Sequence, residues 1–118
     1  MKFRISIPLF ALLFSLCLPL TAADAKITVS NTSKFVGDGR WDWTVFIKAD
    51  KPVLDRIQCV EYTLHPSFPN PIRKVCASGS SSQPFALSSN GWGTFAIKVR
   101  VMYRDKSLQQ LQYNLVLK

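Results

Sequence analysis

The residues that could carry out acid, base or nucleophilic chemistry are few in this chain. It contains one histidine, His65, and after residue 25 it holds six carboxylates, none of them spaced as an acid and base pair. Ser67 stands two residues after His65, as a nucleophile beside a base would, but no Gly-x-Ser-x-Gly turn accompanies the two residues. The sequence therefore predicts no catalytic residues and a protein that is not an enzyme.

Metal ligands and cofactor motifs are equally scarce. One histidine and two cysteines after residue 25 are too few for a zinc site. The sequence has no Cys-x-x-Cys motif and no glycine pattern of the kind that cradles phosphate groups. We therefore expect neither a bound metal nor a cofactor.

Two segments combine aromatic residues with residues that form loops. Residues 65–71 read His-Pro-Ser-Phe-Pro-Asn-Pro, and residues 90–95 read Asn-Gly-Trp-Gly-Thr-Phe. Three prolines exclude the first segment from the inside of a sheet. An aromatic ring on a loop must find burial at the end of a domain or stay open to solvent. Phe68 and Trp92 are therefore either plugs of the core or walls of a binding site.

The segments that must position these loops alternate apolar and polar residues with a period of two, which is typical of strands. The strand candidates are residues 26–30, 41–48, 57–64, 72–76, 85–87, 94–103 and 111–117. Segment 31–40, which contains Gly37 and Gly39, and segment 78–83, where Ser and Gly dominate, are predicted as surface loops. Short strands about ten residues apart, with turn residues between them, predict an all-β fold, namely an immunoglobulin-like antiparallel β-sandwich.

The two cysteines after residue 25 provide a check on this arrangement. If residues 57–64 pair antiparallel with the strand that begins at residue 72, around the Ser67/Phe68 peptide, paired residue numbers sum to 135. Cys59 then lies opposite Cys76, and cross-strand Cβ atoms about 4.5 to 5.5 Å apart are close enough for a bridge. This register predicts a disulfide, with two buried free thiols as the alternative.

The first 25 residues have the composition of a secretory signal peptide. Lys2 and Arg4 precede an apolar run over residues 5–20, and Ala-Asp-Ala at 23–25 matches a cleavage site. The run is shorter than the roughly 20 residues that span a membrane. We expect a cleavable signal peptide at 1–25, one domain at 26–118 in a secreted or periplasmic protein, and no membrane span after cleavage.

The predicted domain is basic. After residue 25 the sequence has 13 Lys and Arg against 6 Asp and Glu, a net charge of about +7. Lys98, Arg100 and Arg104 share the outward side of the predicted strand 94–103. This stripe is either a surface for a polyanion, such as nucleic acid, or the solvated face of a strand, and the second interpretation is the stronger.

The two aromatic loops together resemble a known family. Residues 64–73, Leu-His-Pro-Ser-Phe-Pro-Asn-Pro-Ile-Arg, followed by Gly-Trp-Gly-Thr-Phe at 91–95 and an alternating strand, resemble the YEATS domain and in particular its prokaryotic branch. Asp-Trp-Thr-Val-Phe at 42–46 and Tyr-Arg-Asp-Lys at 103–106 fit the same family. The resemblance covers residues 40–117.

The resemblance implies a sandwich that binds acylated lysine, with a flat acyl amide held between two rings at one end. The ligand-binding residues that it implies are His65, Ser67, Phe68, Trp92, Gly93 and Phe95. Phe68 and Trp92 match the two rings, Phe95 matches the floor, and Gly93 keeps the channel open. The hydroxyl of Ser67, oriented by His65, would bind the amide, and the backbone N–H of Trp92 would donate to the acyl oxygen.

The partner implied by the resemblance is an acylated-lysine protein or peptide, or another planar acyl or amide ligand. Eukaryotic family members bind acetyl- or crotonyl-lysine on histone tails, which an exported protein does not meet. A basic domain also fits an anionic partner better than a basic tail. The alternatives are a structural or assembly protein of immunoglobulin type with buried loop aromatics, and a polyanion binder that uses its basic face.

Export is the first testable prediction. We expect protein from the secreted or periplasmic fraction to begin near Lys26, because the segment before it has the features of a cleaved signal. Intact-mass analysis of that protein measures the cleavage point. A mass that still includes residues 1–25 would instead indicate a retained anchor.

Overall fold

The computed structural model describes residues 25–118, which form two antiparallel sheets packed as a sandwich. The elements in chain order are β1 (Thr28–Gly37), β2 (Arg40–Lys48), a short helical turn α1 (Lys51–Leu54), β3 (Ile57–Thr63), β4 (Ile72–Val75), β5 (Leu87–Gly91), β6 (Ala96–Tyr103) and β7 (Leu108–Asn114). One sheet has the strand order β1-β2-β5, and the other has the order β4-β3-β6-β7. The predicted all-β architecture of antiparallel sheets is confirmed.

The core lies between the sheets and consists of the inward residues of each alternating strand. Trp43, Val45 and Ile47 of β2 are buried, and the outward Asp42 and Lys48 are exposed. The same alternation buries Ile97, Val99, Val101 and Tyr103 of β6. Removing such apolar side chains from water is the main favourable contribution to folding.

Residues 31–40 are not the loop that their composition predicts. β1 continues to Gly37 and pairs with β2, and only Asp38 and Gly39 turn the chain. Both have positive φ, 54° and 70°, as a two-residue type I′ turn requires. An Asp-Gly pair is a known signal for this turn, and the composition of the segment concealed it.

β1 forms without apolar alternation because hydrogen bonds with the C-terminal segment hold the strand in place. The Asn31 side-chain amide donates to the Val116 carbonyl at 2.8 Å, and the Ser33 hydroxyl donates to the Lys118 carbonyl at 3.0 Å. These bonds lie at the outer edge of the sheet, where unpaired backbone groups would otherwise face solvent. A strand held in this way needs few apolar residues.

β5 is also displaced from its predicted position at 85–87. The strand runs from Leu87 to Gly91 through a polar centre, so that Asn90 and Gly91 belong to a strand and not to a loop. Partners on β2 compensate for its weak strand propensity: the hydroxyls of Thr44 and Ser88 lie 2.7 Å apart, and pairing with a neighbouring strand outweighs local preference.

Phe85 lies outside the strand and fills the core. Its ring is 2% exposed, and its φ of 52° turns the chain inward. The Tyr62 hydroxyl donates to the Phe85 carbonyl at 2.6 Å, and burial raises the pKa of the Tyr62 phenol. The predicted loop at 78–83 does lie at the surface, closed by a bridge between Gly79 and Pro84.

The hairpin of β3 and β4 has the register that the cysteines predict. Val60 pairs with Val75 and Thr63 with Ile72, so that paired numbers sum to 135. Cys59 and Cys76 are joined by a disulfide, with their Cα atoms 4.1 Å apart. Both the register and the disulfide are confirmed, and together they fix the base of the loop between the two strands.

The signal peptide predicted for residues 1–25 lies, except for Ala25, outside the described residues. Within residues 25–118, no helix is long and apolar enough to cross a membrane.

The disulfide leads to a stability prediction. Cys76→Ser opens a loop of about 18 residues and should lower the free energy of unfolding by about 2 to 5 kcal/mol, since the bridge restricts the unfolded chain. Urea denaturation of the variant and the wild type measures this difference. Cys59→Ser should cost as much as Cys76→Ser, and the double variant no more than either. A thiol reagent that labels two cysteines in the unreduced wild type would contradict the bridge.

Candidate functional site

Three aromatic rings meet at one end of the sandwich. The indole of Trp43, 2% exposed, lies 6.2 Å from the ring of Phe68 and 6.0 Å from the ring of Phe95, both in edge-on arrangements. Phe68 and Phe95 contact each other at 5.3 Å with a tilt of 50°. Edge-on and tilted contacts are the favoured geometries for aromatic pairs. Trp43 therefore anchors both loop aromatics from the core side.

The loop that carries Phe68 is held in place by hydrogen bonds to its backbone groups. The Leu64 N–H donates to the Pro71 carbonyl at 2.8 Å, which closes the loop, and the Phe68 N–H donates to the His65 carbonyl at 3.0 Å. The Arg73 guanidinium donates to the carbonyls of Asn70 and Pro69 at 2.7 and 2.9 Å. A loop closed at its base and tied along its return arm presents Phe68 in a defined position.

His65 and Ser67 form a short polar wall in this loop. The Ser67 backbone N–H donates to Nδ1 of His65 at 3.1 Å, so that this nitrogen carries a lone pair and not a proton. The Ser67 hydroxyl lies 2.8 Å from the same Nδ1 and is therefore the donor in that contact. Its oxygen keeps its lone pairs for a further N–H donor. The imidazole is positioned by the ring of Phe95, 6.2 Å away.

The opposite wall begins where β5 ends. Gly91 pairs with Trp41 in the last pair between β2 and β5, so the N–H of Trp92 lies beyond that ladder. An alanine Cβ at Gly91 would stand 3.4 Å from Cζ of Phe68, in contact with that ring, so the glycine backbone runs close beside Phe68. The close approach of this backbone to the loop of Phe68 brings the two walls together.

Trp92 projects from this wall and is 68% exposed. The guanidinium of Arg40 lies 5.6 Å from its ring centroid, within the range of a cation–π contact. Arg40 in turn donates to the side-chain oxygen of Asn90, whose amide donates to Asp42 at 2.7 Å. Trp92 is thus supported from the solvent side and left open, so it is not a plug, whereas Phe68 is half-buried and packs against the core.

Between the two walls lies an open cleft of about 130 Å³. Its lining consists of His65, Ser67, Phe68, Gly91, Trp92, Gly93, Thr94 and Phe95. The structure therefore brings together all six residues predicted for the site, whose role in binding stays a prediction. Sequence analysis missed two lining residues, Gly91 and Thr94, although both stood within the second motif. It also missed Trp43, which supports the rings of Phe68 and Phe95 from the core and looked like an ordinary core residue.

The basic stripe is partly satisfied within the protein. Arg100 lies 4.0 Å from the carboxylate of Glu61, and the Arg104 guanidinium donates to the carbonyl of Asp55 at 3.2 Å. Two of the three cations that could contact a polyanion therefore already have a partner. Among residues 25–118, no three His, Cys, Asp or Glu side chains are grouped to hold a metal ion.

Comparison with known proteins gives a family match. The family model described as the prokaryotic YEATS domain matches residues 41–116, inside the domain predicted at 26–118. A protein named AF-9 homolog from Neurospora crassa is 36% identical over 77 residues, and one from Eremothecium gossypii is 32% identical over 96 residues. These alignments cover 64% and 72% of this chain but only 24% and 44% of the relatives, so the chain spans less than half of their length.

A similar fold is found among solved structures. The crystal structure of the Yaf9 YEATS domain bound to an acetylated histone H3 aligns with a TM-score of 0.61 and 23% identity. The alignment covers 80% of this chain and 77% of that one. At this level of identity the similarity concerns the fold, and it agrees with the predicted immunoglobulin-like sandwich.

The different burial of the two tryptophans leads to a prediction. Trp92→Ala should lower the free energy of unfolding by no more than about 1 kcal/mol, because it removes an exposed ring and one cation–π contact. Trp43→Ala should cost about 3 to 5 kcal/mol, because it opens a cavity under Phe68 and Phe95. Thermal melting of both variants measures the difference. Equal losses for the two variants would mean that Trp92 is a plug in solution.

Proposed function

The chain belongs to the prokaryotic YEATS domain family, and on that premise we propose that it is a non-catalytic binding module whose aromatic slot takes the acyl group of an acylated lysine. The proposal combines this membership with the polar and aromatic groups that the structure places around one cavity. It assigns no role to the parts of longer relatives that lie outside the matched region.

The observation that carries the proposal is the pair of contacts between Ser67 and Nδ1 of His65 at the cavity. Because Nδ1 accepts from the Ser67 backbone N–H, the Ser67 hydroxyl is the donor in the second contact, which leaves its oxygen to accept a hydrogen bond within the cavity. An acylated lysine offers an amide N–H as donor and an amide oxygen as acceptor. Ser67 receives that N–H, and the N–H of Trp92, free of the β5 ladder, donates to the oxygen.

The rings explain why the modified lysine is preferred over the free one. An uncharged planar amide gains from stacking on the rings of Phe68 and Trp92, at about 0.5 to 1.5 kcal/mol per aromatic contact beyond area burial. A free ammonium would have to leave water for a slot without a carboxylate in its lining. The volume of about 130 Å³ corresponds to about four water molecules, the size of a short acyl chain.

The other polar groups of the slot favour binding over catalysis. An imidazole that acts as a base is normally oriented by a third group, most often a carboxylate. The contact of the Ser67 hydroxyl with Nδ1 of His65 would suit a nucleophile and its base, but the lining of the cavity holds no carboxylate to orient the imidazole, and the packing contact of the ring is with Phe95. The arrangement fixes the serine as an acceptor for a ligand.

Relatives support the same ligand class. The Yaf9 YEATS domain, which shares the fold, binds acetylated histone H3 in one structure and a succinylated H3 peptide in another. These ligands belong to that protein. For this chain they indicate the chemical class, a lysine whose charge an acyl group has removed.

The partner that we propose is an acylated-lysine protein or peptide outside the cytoplasm. Two features support this location: the signal-like sequence of residues 1–25, and the disulfide between Cys59 and Cys76, which oxidising compartments favour. Because the domain carries a net charge of about +7, we expect acidic residues around the acylated lysine.

Direct titration tests this proposal. We expect acetyl- and butyryl-lysine peptides to bind at least about ten times more tightly than the unmodified peptide. Trp92→Ala should abolish this preference, and Ser67→Ala should weaken binding about five- to tenfold, as the loss of one hydrogen bond does. Calorimetry at two salt concentrations measures the affinities. Phe35→Ala is the matched control, since it removes an exposed ring that does not line the cavity.

Two outcomes would favour the alternatives. Equal affinity for modified and unmodified peptides would exclude the acyl-lysine function. Binding that falls steeply with salt and survives Trp92→Ala would point to the stripe of Lys98, Arg100 and Arg104, and therefore to a polyanion. No binding at all would leave the structural or assembly role.

A further inference from the structure

Arg40 is an exposed cation beside the slot, and only part of its guanidinium is bonded within the protein. Its Cζ lies 5.6 Å from the ring centroid of Trp92, which lines the cleft. Its Nε–H donates to the side-chain oxygen of Asn90. A guanidinium also carries N–H groups on two terminal nitrogens, and these are left for an acceptor outside the chain.

The charge of Arg40 has no counter-ion inside the domain. Of the salt bridges formed within residues 25–118, none includes Arg40. Asp42, the nearest acidic residue along β2, instead accepts a hydrogen bond from the Asn90 amide at 2.7 Å. Arg40 therefore presents an unpaired positive charge to solvent at the rim of the slot.

Two contacts set the position of this guanidinium. Asn90, which accepts the bond from Arg40, is itself bonded to Asp42 across the pairing of β2 with β5. The indole of Trp92 lies within the range of a cation–π contact. An arginine held in this way has less conformational freedom to lose on binding than a free surface side chain has.

The location of Arg40 fits a residue that flanks the acylated lysine. Arg40 does not line the cleft itself, but it lies one ring away from it, next to Trp92. An extended peptide advances about 3.3 Å per residue. A residue one or two positions from the acylated lysine is therefore displaced by about the 5.6 Å that separates Arg40 from the ring of Trp92.

The chemistry of the guanidinium defines the flanking side chain that it binds. Two terminal nitrogens in one plane match the two oxygens of a carboxylate, and such charge-assisted hydrogen bonds are stronger than neutral ones. A basic residue at the same place would be repelled. The flanking residue that fits is thus an aspartate or a glutamate.

We infer that Arg40 binds a carboxylate next to the acylated lysine, so that the protein selects acyl-lysine sites with an acidic neighbour. The inference rests on the proposed binding of acylated lysine and adds a specificity-determining residue to it. The residues that line the slot recognise the acylated side chain, and Arg40 recognises the sequence around it. A preference expected from the net charge of the whole domain is thereby assigned to one residue.

Matched peptides test this selection. An acetyl-lysine peptide with glutamates on both sides is compared with its glutamine counterpart by calorimetry at physiological salt. We expect Arg40→Gln to lower the glutamate-to-glutamine affinity ratio about three- to fivefold, the upper range for an exposed ion pair. Arg40→Lys keeps the charge without the planar fork and should give an intermediate ratio. Because both peptides are measured on the same variant, a displacement of Trp92 that weakens both equally leaves the ratio unchanged.

Lys48→Gln is the matched control. Lys48 is exposed on the same outward face of β2 as Arg40, at the other end of the strand. At about 3.3 Å per residue the two positions stand roughly 26 Å apart, and charges more than about 8 Å apart are largely screened at this salt concentration. Lys48→Gln should therefore leave the ratio unchanged. An equal fall in both variants would assign the preference to net charge and overturn the inference.

Further peptides separate the inference from the function on which it rests. If acetylated peptides bind more tightly than unmodified ones but Arg40→Gln leaves the ratio unchanged, the inference is wrong while the function stands. If acetylation brings no gain, the proposed function fails, and the inference fails with it. A succinyl-lysine peptide with glutamine flanks tests a carboxylate on the acyl chain. Tighter binding of this peptide than of its acetyl counterpart, lost in Arg40→Gln, would overturn the flanking position.

Discussion

Two rings from different loops, those of Phe68 and Phe95, rest edge-on against the single buried indole of Trp43. This contact places two chain segments, almost thirty residues apart in sequence, at the same end of the sandwich. It depends on β2 being central in its sheet, because only a strand flanked on both sides buries an inward tryptophan at 2% exposure. The placement of the Phe68 and Phe95 rings beside the cavity follows from this position.

The loop of Phe68 gains its order from the strands below it. The register of β3 and β4 and the bridge between Cys59 and Cys76 hold the two ends of the hairpin together, and the Leu64 and Pro71 backbone groups close the loop above them. A domain of this size has a limited core, so a covalent link at the base of this loop contributes to stability. It also holds the polar wall of His65 and Ser67 in a defined position.

The opposite wall is built differently, from a sheet edge and its polar outer face. Arg40, Asn90 and Asp42 form a chain of contacts that ends under the exposed ring of Trp92. One wall is thus fixed by the core and the other by surface polar groups, so that Phe68 is packed while Trp92 is exposed. On the outer face of the other sheet, Arg100 lies 4.0 Å from Glu61, and Arg104 donates to the carbonyl of Asp55.

The sequence by itself determined the features that depend on local pattern. Period-two alternation indicates the central strands, and the prolines at 66, 69 and 71 indicate the loop. Paired residue numbers that sum to 135 define the register of β3 and β4, which places Cys59 opposite Cys76. Residue spacing along a strand decides which side chains face each other. All six predicted site residues meet because both motifs lie at one end of the sandwich.

Tertiary structure alone decided the rest of the fold and of the site. β1 and β5 form because neighbouring strands and the C-terminal segment provide hydrogen-bond partners for their polar residues. Local strand propensity does not predict these distant contacts. The exposure of Trp92 and the unpaired N–H of Trp43 likewise follow from how the sheets and loops pack, since the burial of a side chain depends on residues distant in sequence.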